Sequence, residues 1–356
     1  MGSHKMAALL IGLVSMKKAL SALIIPTLCL GCALCSCAPA ESEANDHFFA
    51  METIMTNKAF GSNAQAALDE INAKAKKLDA LLSVTNENSE VYALNSGETL
   101  SPSGDTNQII EQSAELCKFT ENKLDITAYP VLKAWGFTTQ SYRIPSQAEL
   151  DRLLESVGTE NICFEGSEIY LKNNAQIDLG ATAKGYLADR AIEILDESNV
   201  SSALLNLGGT IAARGKKPGG EEWKIGVADP ENSSSYFGFI DLSDKIAATS
   251  GGYERYFVGD DGETYIHIID PKSGRPVKNG TVSVTVISES GIKSDALSTA
   301  LFVAGAQEAE KIRERDGKAF DYIILTDDNS LFITKGISDS FRLAEGFDDI
   351  KINVVQ

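Results

Sequence analysis

The segment ALLNLGGTIAAR, residues 203–214, contains two short apolar runs separated by a glycine pair. Runs of this length bounded by turn residues are typical of strands rather than helices. We therefore predict strands at Ala203–Leu207 and Ile211–Arg214, joined at Gly208-Gly209. A glycine pair after an apolar strand also allows a ligand to approach the backbone closely, and a tight turn explains the pair equally well.

Short strands continue through the C-terminal half. Strands are predicted at Trp223–Val227, Phe237–Leu242, Lys245–Thr249, Arg255–Val258, Thr264–Ile269, Val282–Ile287, Tyr322–Leu325 and Leu331–Thr334, and helices at Ser294–Ala304 and Gln307–Arg315. The strands and helices do not alternate regularly. The pattern therefore predicts an α+β fold, a single body with a largely antiparallel sheet flanked by helices.

The N-terminal half is richer in helical patterns, with apolar residues recurring at intervals of three and four. Helices are predicted at Ala64–Leu82, Thr106–Phe119 and Thr182–Asp196. Ser146 and Glu149 have the spacing of a capping box, which predicts the start of another helix. Apolar and polar residues alternate over Ile162–Leu171, around Gly166, and this pattern predicts a hairpin.

The composition excludes some classes of function. The chain has 356 residues, 43% of them hydrophobic, and a net charge of −18. This apolar content allows a large core, so disorder of the whole chain is excluded. The acidic balance excludes a nucleic-acid-binding protein, which needs a basic surface to meet phosphates. An anionic ligand must therefore be held locally, by backbone amides, a few cations or a metal ion.

The first forty residues have a different character, with three lysines as their only charged side chains. The run Ala19–Ala38 is almost wholly apolar or small and is long enough for a transmembrane helix. However, Lys17-Lys18 immediately before it is typical of the basic start of a secretory signal. We therefore predict that residues 1–36 are a signal peptide or leader, with Met1 or Met16 as the start.

The end of this segment, Leu34-Cys35-Ser36-Cys37, resembles a bacterial lipobox and predicts lipidation of Cys37. Cys29, Cys32 and Cys35 also follow a C-x-x-C-x-x-C spacing, but the segment is apolar and lacks the turns of a metal loop. A lipidated Cys37 predicts an exported lipoprotein anchored on the extracytoplasmic face of a membrane.

Maturation changes the charge of the protein. Removal of the leader lysines leaves 29 basic side chains against 50 acidic ones, and a net charge of −21. Residues 37–48 are predicted to be the lipidated N-terminus and a polar linker, which includes Glu41–His47, and residues 49–350 the folded domain. Cys117 and Cys163 remain in that domain, either as a disulfide or as free thiols.

Three groups of residues indicate chemistry. In Asp178–Arg190 a strand end runs through Gly180 into a helix, whose free amides and Lys184 are able to hold phosphate. An ordinary strand-to-helix turn accounts for the same segment. His267 precedes the turn Asp270-Pro271, where it is suited to act as a general base or simply to cap the turn.

The third group is on a predicted helix. Asp295 and Thr299 are four residues apart, so they share one helix face. A carboxylate and a hydroxyl together offer the hard oxygen ligands that Mg²⁺ prefers. Asp295 is equally well explained as an acid in the first turn, where the helix dipole favours it.

Together these segments closely resemble the ApbE family, the FAD:protein FMN transferases. The resemblance is carried by Leu78–Ser83, Ser89–Asn95, Leu124–Leu132, Trp135–Phe137, Asp178–Arg190, Asn206–Gly209, Thr249–Tyr256, His267–Pro276 and Asp295–Thr299. It implies a fold of two interleaved subdomains and an enzyme that moves FMN from FAD onto a Thr or Ser of a partner protein, releasing AMP. The implied partner is an exported or membrane electron-transfer flavoprotein.

The resemblance also implies residue roles. Asp295, Thr299 and the backbone carbonyl of Ala181 are expected to bind Mg²⁺. Asp178, Lys184 and the stretch Ala134, Trp135 and Gly136 are expected near FAD, and His267 is expected to take the proton of the acceptor hydroxyl.

The chain departs from the family pattern at Ser83–Asn86, which reads Ser-Val-Thr-Asn where many relatives carry an aromatic residue facing the flavin. A less covered flavin gives water better access to the site. An FAD pyrophosphatase producing FMN and AMP is therefore one alternative, and an extracytoplasmic FAD-binding lipoprotein is another.

Overall fold

A nine-stranded sheet forms the centre of the fold in the computed structural model, which describes residues 42–356. The predicted leader and Cys37 lie outside the described residues. The strands are β1 (Glu43–Ala50), β2 (Thr53–Phe60), β3 (Ile162–Glu165), β4 (Glu168–Leu171), β5 (Ser202–Asn206), β6 (Thr210–Arg214), β7 (Trp223–Asp229), β8 (Asn232–Leu242), β9 (Lys245–Gly251), β10 (Tyr256–Val258), β11 (Thr264–Ile266), β12 (Ile269–Asp270), β13 (Arg275–Pro276), β14 (Thr281–Ser288), β15 (Asp321–Thr326), β16 (Ser330–Thr334), β17 (Phe341–Leu343) and β18 (Lys351–Val355).

The helices lie mostly between the strands in sequence. They are α1 (Ala64–Leu82), α2 (Glu90–Asn95), α3 (Gly104–Phe119), α4 (Tyr129–Trp135), α5 (Gln147–Leu154), α6 (Ala183–Glu197), α7 (Gly291–Ala304), α8 (Ala306–Arg315) and α9 (Lys335–Ser338), with a 3₁₀ turn at Thr159–Asn161. No helix within this described part of the chain combines the length and apolar character needed to cross a membrane.

The large sheet has the strand order β1-β2-β5-β6-β9-β14-β15-β16-β18. All of its neighbouring strands are antiparallel except β16 and β18, which are parallel. A second sheet, in the order β17-β8-β7, is fully antiparallel. The observed architecture confirms the predicted α+β class with a largely antiparallel sheet.

The two faces of the large sheet are covered by different layers. On β14, Val284 and Val286 pack beneath α7 and α8, whereas Ile287 points to the other face and packs against the three-stranded sheet. This division follows from the alternation of side chains along a strand. A further core beneath α1, α3 and α6 contains Leu68, Ile71 and Leu78 of α1.

The prediction of a linker over Glu41–His47 is wrong from Glu43 onward, because β1 begins there and pairs with β2 along its whole length. The strand is difficult to predict because its sequence is mostly polar. As the edge strand of the sheet, β1 buries few of its residues, among them Ala44 and Ala50. The fold also extends past residue 350, because β18 adds to β16.

The two remaining cysteines, Cys117 and Cys163, are free thiols. Cys117 lies in the core, and burial raises its pKa to about 12. It is therefore protonated and unreactive at neutral pH.

Candidate active site

Helices α6 and α7 meet where the predicted metal ligands lie. The amide N–H of Gly185 donates to Oδ2 of Asp295 at 2.9 Å. Gly185 is the third residue of α6, so its N–H belongs to the first turn, whose amides have no carbonyl partner within the helix. The next amide, of Tyr186, keeps the helical pattern and donates to the carbonyl of Thr182 at 2.9 Å. The Ala181 carbonyl precedes α6 and accepts no backbone hydrogen bond within residues 42–356, and Ala181 lines the same cavity as Asp295.

Two glycines make this close approach of the helices possible. A Cβ on Gly185 would lie 2.2 Å from the carbonyl oxygen of Gly291 and 2.6 Å from Cβ of Asp295. The carboxylate of Asp189 accepts the amide N–H groups of Gly291 and Ile292, at 2.5 and 2.9 Å, and holds the start of α7 against α6. Sequence reasoning missed both glycines, although a glycine inside a helical pattern signals a packing constraint.

Thr299 lies one turn after Asp295 on α7 and lines the same cavity. Its hydroxyl oxygen is 3.1 Å from that of Ser250 in β9, which is itself 2.7 Å from the hydroxyl oxygen of Ser298. These contacts hold the Thr299 hydroxyl toward Ser250, which lines the same cavity.

The donor set fits a magnesium ion. Asp295 is only 5% exposed, and it makes no salt bridge within residues 42–356. A buried carboxylate without a cationic partner is unfavourable unless a cation binds it. With the Thr299 hydroxyl and the free Ala181 carbonyl, it offers three hard oxygen donors of the kind Mg²⁺ takes beside phosphate oxygens and water. These three residues would hold the ion.

Three basic side chains line the cleft, and one of them, Lys123, pairs with Glu308 at 2.8 Å. Nζ of Lys184 lies 3.5 Å from the carbonyl oxygen of Gly180, one turn earlier at the start of α6. Nη2 of Arg255 lies 3.0 Å from Oε2 of Glu52, which belongs to the turn between β1 and β2. Lys184 and Arg255 both line the cavity at Asp295 and the one beside it. They supply local positive charge in a protein that is strongly acidic as a whole.

His267 lines the same cavity as Asp295. Its Nδ1 lies 3.1 Å from the carbonyl oxygen of Arg255, which can only accept a hydrogen bond. Nδ1 therefore carries the proton, and Nε2 keeps a free lone pair. Burial, together with the charges of Arg255 and Lys184, lowers the pKa of His267 to about 4, although the hydrogen bond to the Arg255 carbonyl opposes this. The imidazole is therefore neutral at physiological pH and able to accept a proton.

Two carboxylates complete the walls. Oδ1 of Asp178 accepts the amide N–H of Gly180 at 2.7 Å, which shapes the turn leading into α6. Burial raises the pKa of Asp178. Glu254, which the sequence did not single out, also lines the cavity, and its pKa is raised by burial and by Asp295 although Lys184 opposes this.

The cleft consists of two adjoining cavities of about 210 and 570 Å³. Both are lined by Phe137, Thr138, Asp178, Gly180, Lys184 and Arg255. The smaller cavity contains the oxygen donors and His267, and the larger one extends to the end of α1 and the β1–β2 turn. The arrangement offers an elongated ligand two compartments with cationic groups where they meet.

The stretch Ala134, Trp135 and Gly136 is not among the residues that line these two cavities in the described chain. Trp135 is fully buried, and its Nε1 donates to the carbonyl oxygen of Gly274 at 2.8 Å. Trp135 therefore lies beneath the cavity surface, and Phe137 and Thr138 form that surface. Phe137 belongs to the motif Trp135–Phe137, but the expected FAD contact was placed on Ala134, Trp135 and Gly136, because the pattern does not show which aromatic side chain faces the cavity. Thr138 was not singled out.

Ser83, Val84 and Thr85, at the departure from the family pattern, line the larger cavity. Tyr142 and Phe137 line the same cavity, with ring centroids 5.7 Å apart. Tyr142 also stacks on Phe257, with centroids 5.0 Å apart and planes inclined by 13°. Aromatic surface therefore reaches this compartment from another part of the chain.

Comparison with known proteins gives consistent matches. The model of the ApbE family matches residues 51–324. The FAD:protein FMN transferase of Haemophilus influenzae is 31% identical over 82% of this chain and 85% of its own length. The ApbE protein of Thermotoga maritima superposes with a TM-score of 0.75 at 30% identity, covering 87% of this chain and 99% of that one. The flavinyl transferase ApbE of Pseudomonas stutzeri gives 0.73 at 25% identity, covering 87% and 97%. The chain belongs to the ApbE family.

Proposed function

We propose that the protein is a Mg²⁺-dependent FAD:protein FMN transferase that moves FMN from FAD onto a Thr or Ser hydroxyl of a partner protein and releases AMP. The observation that carries the proposal is the meeting of a neutral His267, Lys184 and the oxygen donors of Asp295, Thr299 and Ala181 on one cavity. The names of the relatives agree with this activity.

The shape and charge of the cleft suit a dinucleotide. A long molecule with a pyrophosphate at its middle fits two compartments that meet at Lys184 and Arg255. The amides at the start of α6 add partial positive charge for phosphate oxygens. A bound Mg²⁺ would neutralise the pyrophosphate and stabilise the charge that develops on the AMP side.

His267 supplies the proton acceptor. A Thr or Ser hydroxyl is a weak nucleophile until its proton is removed. Nε2 of His267 takes this proton, and the hydroxyl oxygen forms a bond to the phosphorus of the FMN half. The bond between that phosphorus and the oxygen bridging to AMP breaks, and AMP leaves. The phosphates of bound FAD raise the pKa of His267 above its value in the free protein, which makes it a better base.

A hydrolytic reaction is the second candidate, since the polar surface of Ser83 and Thr85 at the larger cavity leaves room for water. The same His267 would then take a proton from water, and the products would be FMN and AMP.

One incubation separates these activities. The protein is mixed with FAD, Mg²⁺ and an envelope protein fraction. Flavin fluorescence on a protein band in a denaturing gel supports the transferase. FMN and AMP without a labelled band identify a hydrolase, and unchanged FAD identifies an FAD-binding lipoprotein. Turnover in excess chelator equal to that with Mg²⁺ would contradict the metal assignment.

We also propose that the protein is exported and anchored through a lipid on Cys37, and that its acceptor is an exported or membrane electron-transfer flavoprotein. The apolar segment before Cys37 supports export. Mapping of FMN-modified peptides from the envelope fraction identifies the acceptor.

A further inference from the structure

A third cavity lies on the opposite face of the large sheet from α6 and α7, and it has a volume of about 690 Å³. Its floor includes the outward side chains of β1 and β2, among them His47, Thr56 and Lys58, and its wall is Lys224–Ala228 of β7. We call this space, defined by these residues, the outer groove.

The wall of the outer groove is an open strand edge. In the order β17-β8-β7, strand β7 is last and pairs only with β8. Within residues 42–356, no other backbone segment bonds to Lys224–Ala228. Alternate residues of an edge strand direct their N–H and C=O groups away from the sheet, where they are available to an added strand. A sheet edge of this kind is a recognised binding mode for extended peptides.

The floor is continuous with exposed apolar surface. Phe49 and Ile54 are directly opposite each other on β1 and β2, and each is 66% exposed. They share the outward face with His47 and Thr56, and they lead to the turn at Met51 and Glu52, which lines the larger cavity of the cleft. Paired exposed side chains of this size are typical of interaction surfaces.

The outer groove also meets the catalytic cleft directly. Thr249 and Glu254 line both the outer groove and the cavity that contains His267 and Asp295. A chain segment lying in the groove is therefore separated from the catalytic cavity only by Thr249 and Glu254.

We propose that the outer groove docks an extended segment of the acceptor protein, which adds as a strand to β7 and delivers its Thr or Ser to the cleft. The proposal rests on the proposed function, because only a transferase needs a polypeptide substrate beside His267. The edge supplies backbone recognition, and Phe49 with Ile54 supplies apolar contact. Lys58 and Lys224 both line the groove and favour an acceptor segment with acidic flanks.

The first test measures amide hydrogen exchange in the full-length protein. The probe is a peptide of about ten residues, alternating valine and threonine between terminal aspartates, which is long enough to cover β7. Its control has the same sequence with alternate backbone amides N-methylated, so that it cannot form the backbone hydrogen bonds of a strand paired with β7. We expect the peptide to protect Lys224–Ala228 and the control not to do so. Absence of protection at a saturating peptide concentration would overturn the proposal.

The second test narrows the groove. Thr56→Trp places an indole on the floor without touching the catalytic residues, and Asn353→Trp places one on exposed β18, away from the groove. We expect Thr56→Trp to weaken peptide binding at least about ten-fold, with FAD affinity unchanged, and Asn353→Trp to behave like the wild type. Unchanged peptide affinity in Thr56→Trp would contradict the docking site.

The outcomes distinguish this inference from the proposed function. If wild-type protein labels envelope proteins and Thr56→Trp labels them at the same rate, the transferase stands and the docking site is wrong. If the peptide protects β7 but no protein is labelled, the groove binds strands and the transferase proposal fails. Protection of β7 that appears without peptide and increases with protein concentration identifies a second copy as the occupant, which overturns the proposal.

Discussion

A single amide, that of Gly185, links the proposed metal ligand Asp295 to the start of α6. By donating to Asp295, it holds the carboxylate at the start of α6. At this scale the residue types were predictable, because Asp295 and Thr299 share a helix face whatever surrounds them. This hydrogen bond was not predictable from the pattern, since it joins residues 110 positions apart in the sequence.

Asp295→Asn tests the metal site. The amide keeps an oxygen for the Gly185 N–H but loses the charge, so we expect Mg²⁺-dependent turnover to fall at least about a hundred-fold, as loss of a group that stabilises developing charge does. Circular dichroism should show a folded chain, and calorimetric titration should show weakened Mg²⁺ binding. Turnover at the wild-type rate would show that the metal assignment is wrong.

The pH dependence tests His267. The reaction requires the neutral imidazole, so activity should be constant near neutral pH and fall as pH drops through the pKa. Because burial lowers this pKa to about 4, the acid limb of kcat/KM should lie near pH 4 rather than near the ordinary value of 6.5. His267→Gln, which retains a donor for the Arg255 carbonyl, should lower transfer and retain FAD binding. Loss of FAD binding in this variant would instead indicate a structural role.

At the scale of elements, the site is the contact between α6 and α7. The amphipathic pattern predicted both helices, but α7 begins at Gly291 rather than Ser294. The early start places Gly291 against Gly185, and this contact sets the separation of the helices. Periodicity predicts which face of a helix is buried, and it contains no information about which other helix that face will meet.

Gly185→Ala tests this contact. The added Cβ would lie within 2.2 Å of backbone, so we expect a loss of about 1–3 kcal/mol of unfolding free energy from overpacking, together with weaker Mg²⁺ binding. The matched control is Gly104→Ala at the start of α3, where a Cβ meets nothing within 4 Å. The control should be neutral or more stable in thermal denaturation. Equal behaviour of the two variants would contradict the proposed role of the α6–α7 contact.

At the scale of the whole molecule, a net charge of −18 surrounds a site for an anionic substrate. The local groups Lys184 and Arg255 offset this charge at the cleft, and a cation on the proposed oxygen donors would offset it further. We therefore expect FAD and Mg²⁺ to stabilise the fold together, by about 2.7 kcal/mol at a hundred times the dissociation constant. The measurement is the thermal midpoint with FAD, with and without chelator. An equal shift in both conditions would argue against joint binding.

The location of the protein is also a property of the whole chain. If Cys37 carries the lipid, Cys37→Ser should move the protein from the membrane pellet to the soluble extracytoplasmic fraction, because the diacyl anchor is lost. Transferase activity on a soluble acceptor should be unchanged, since the described residues that line the cleft lie between Met51 and Thr299. Retention of the variant in the membrane fraction would contradict the anchor.

The sequence alone determined the α+β class, the main helices and strands, the family, and the residue types of the site, because periodicity and short motifs are local properties of the chain. Only the tertiary structure decided that Glu43–Ala50 is an edge strand, that Trp135 is buried beneath the cavity surface that Phe137 forms, and that the Gly185 N–H donates to Asp295. Each of these depends on contacts between segments far apart in the chain. The physical reason is that burial and hydrogen-bond partners are set by packing, which brings together residues that no local pattern relates.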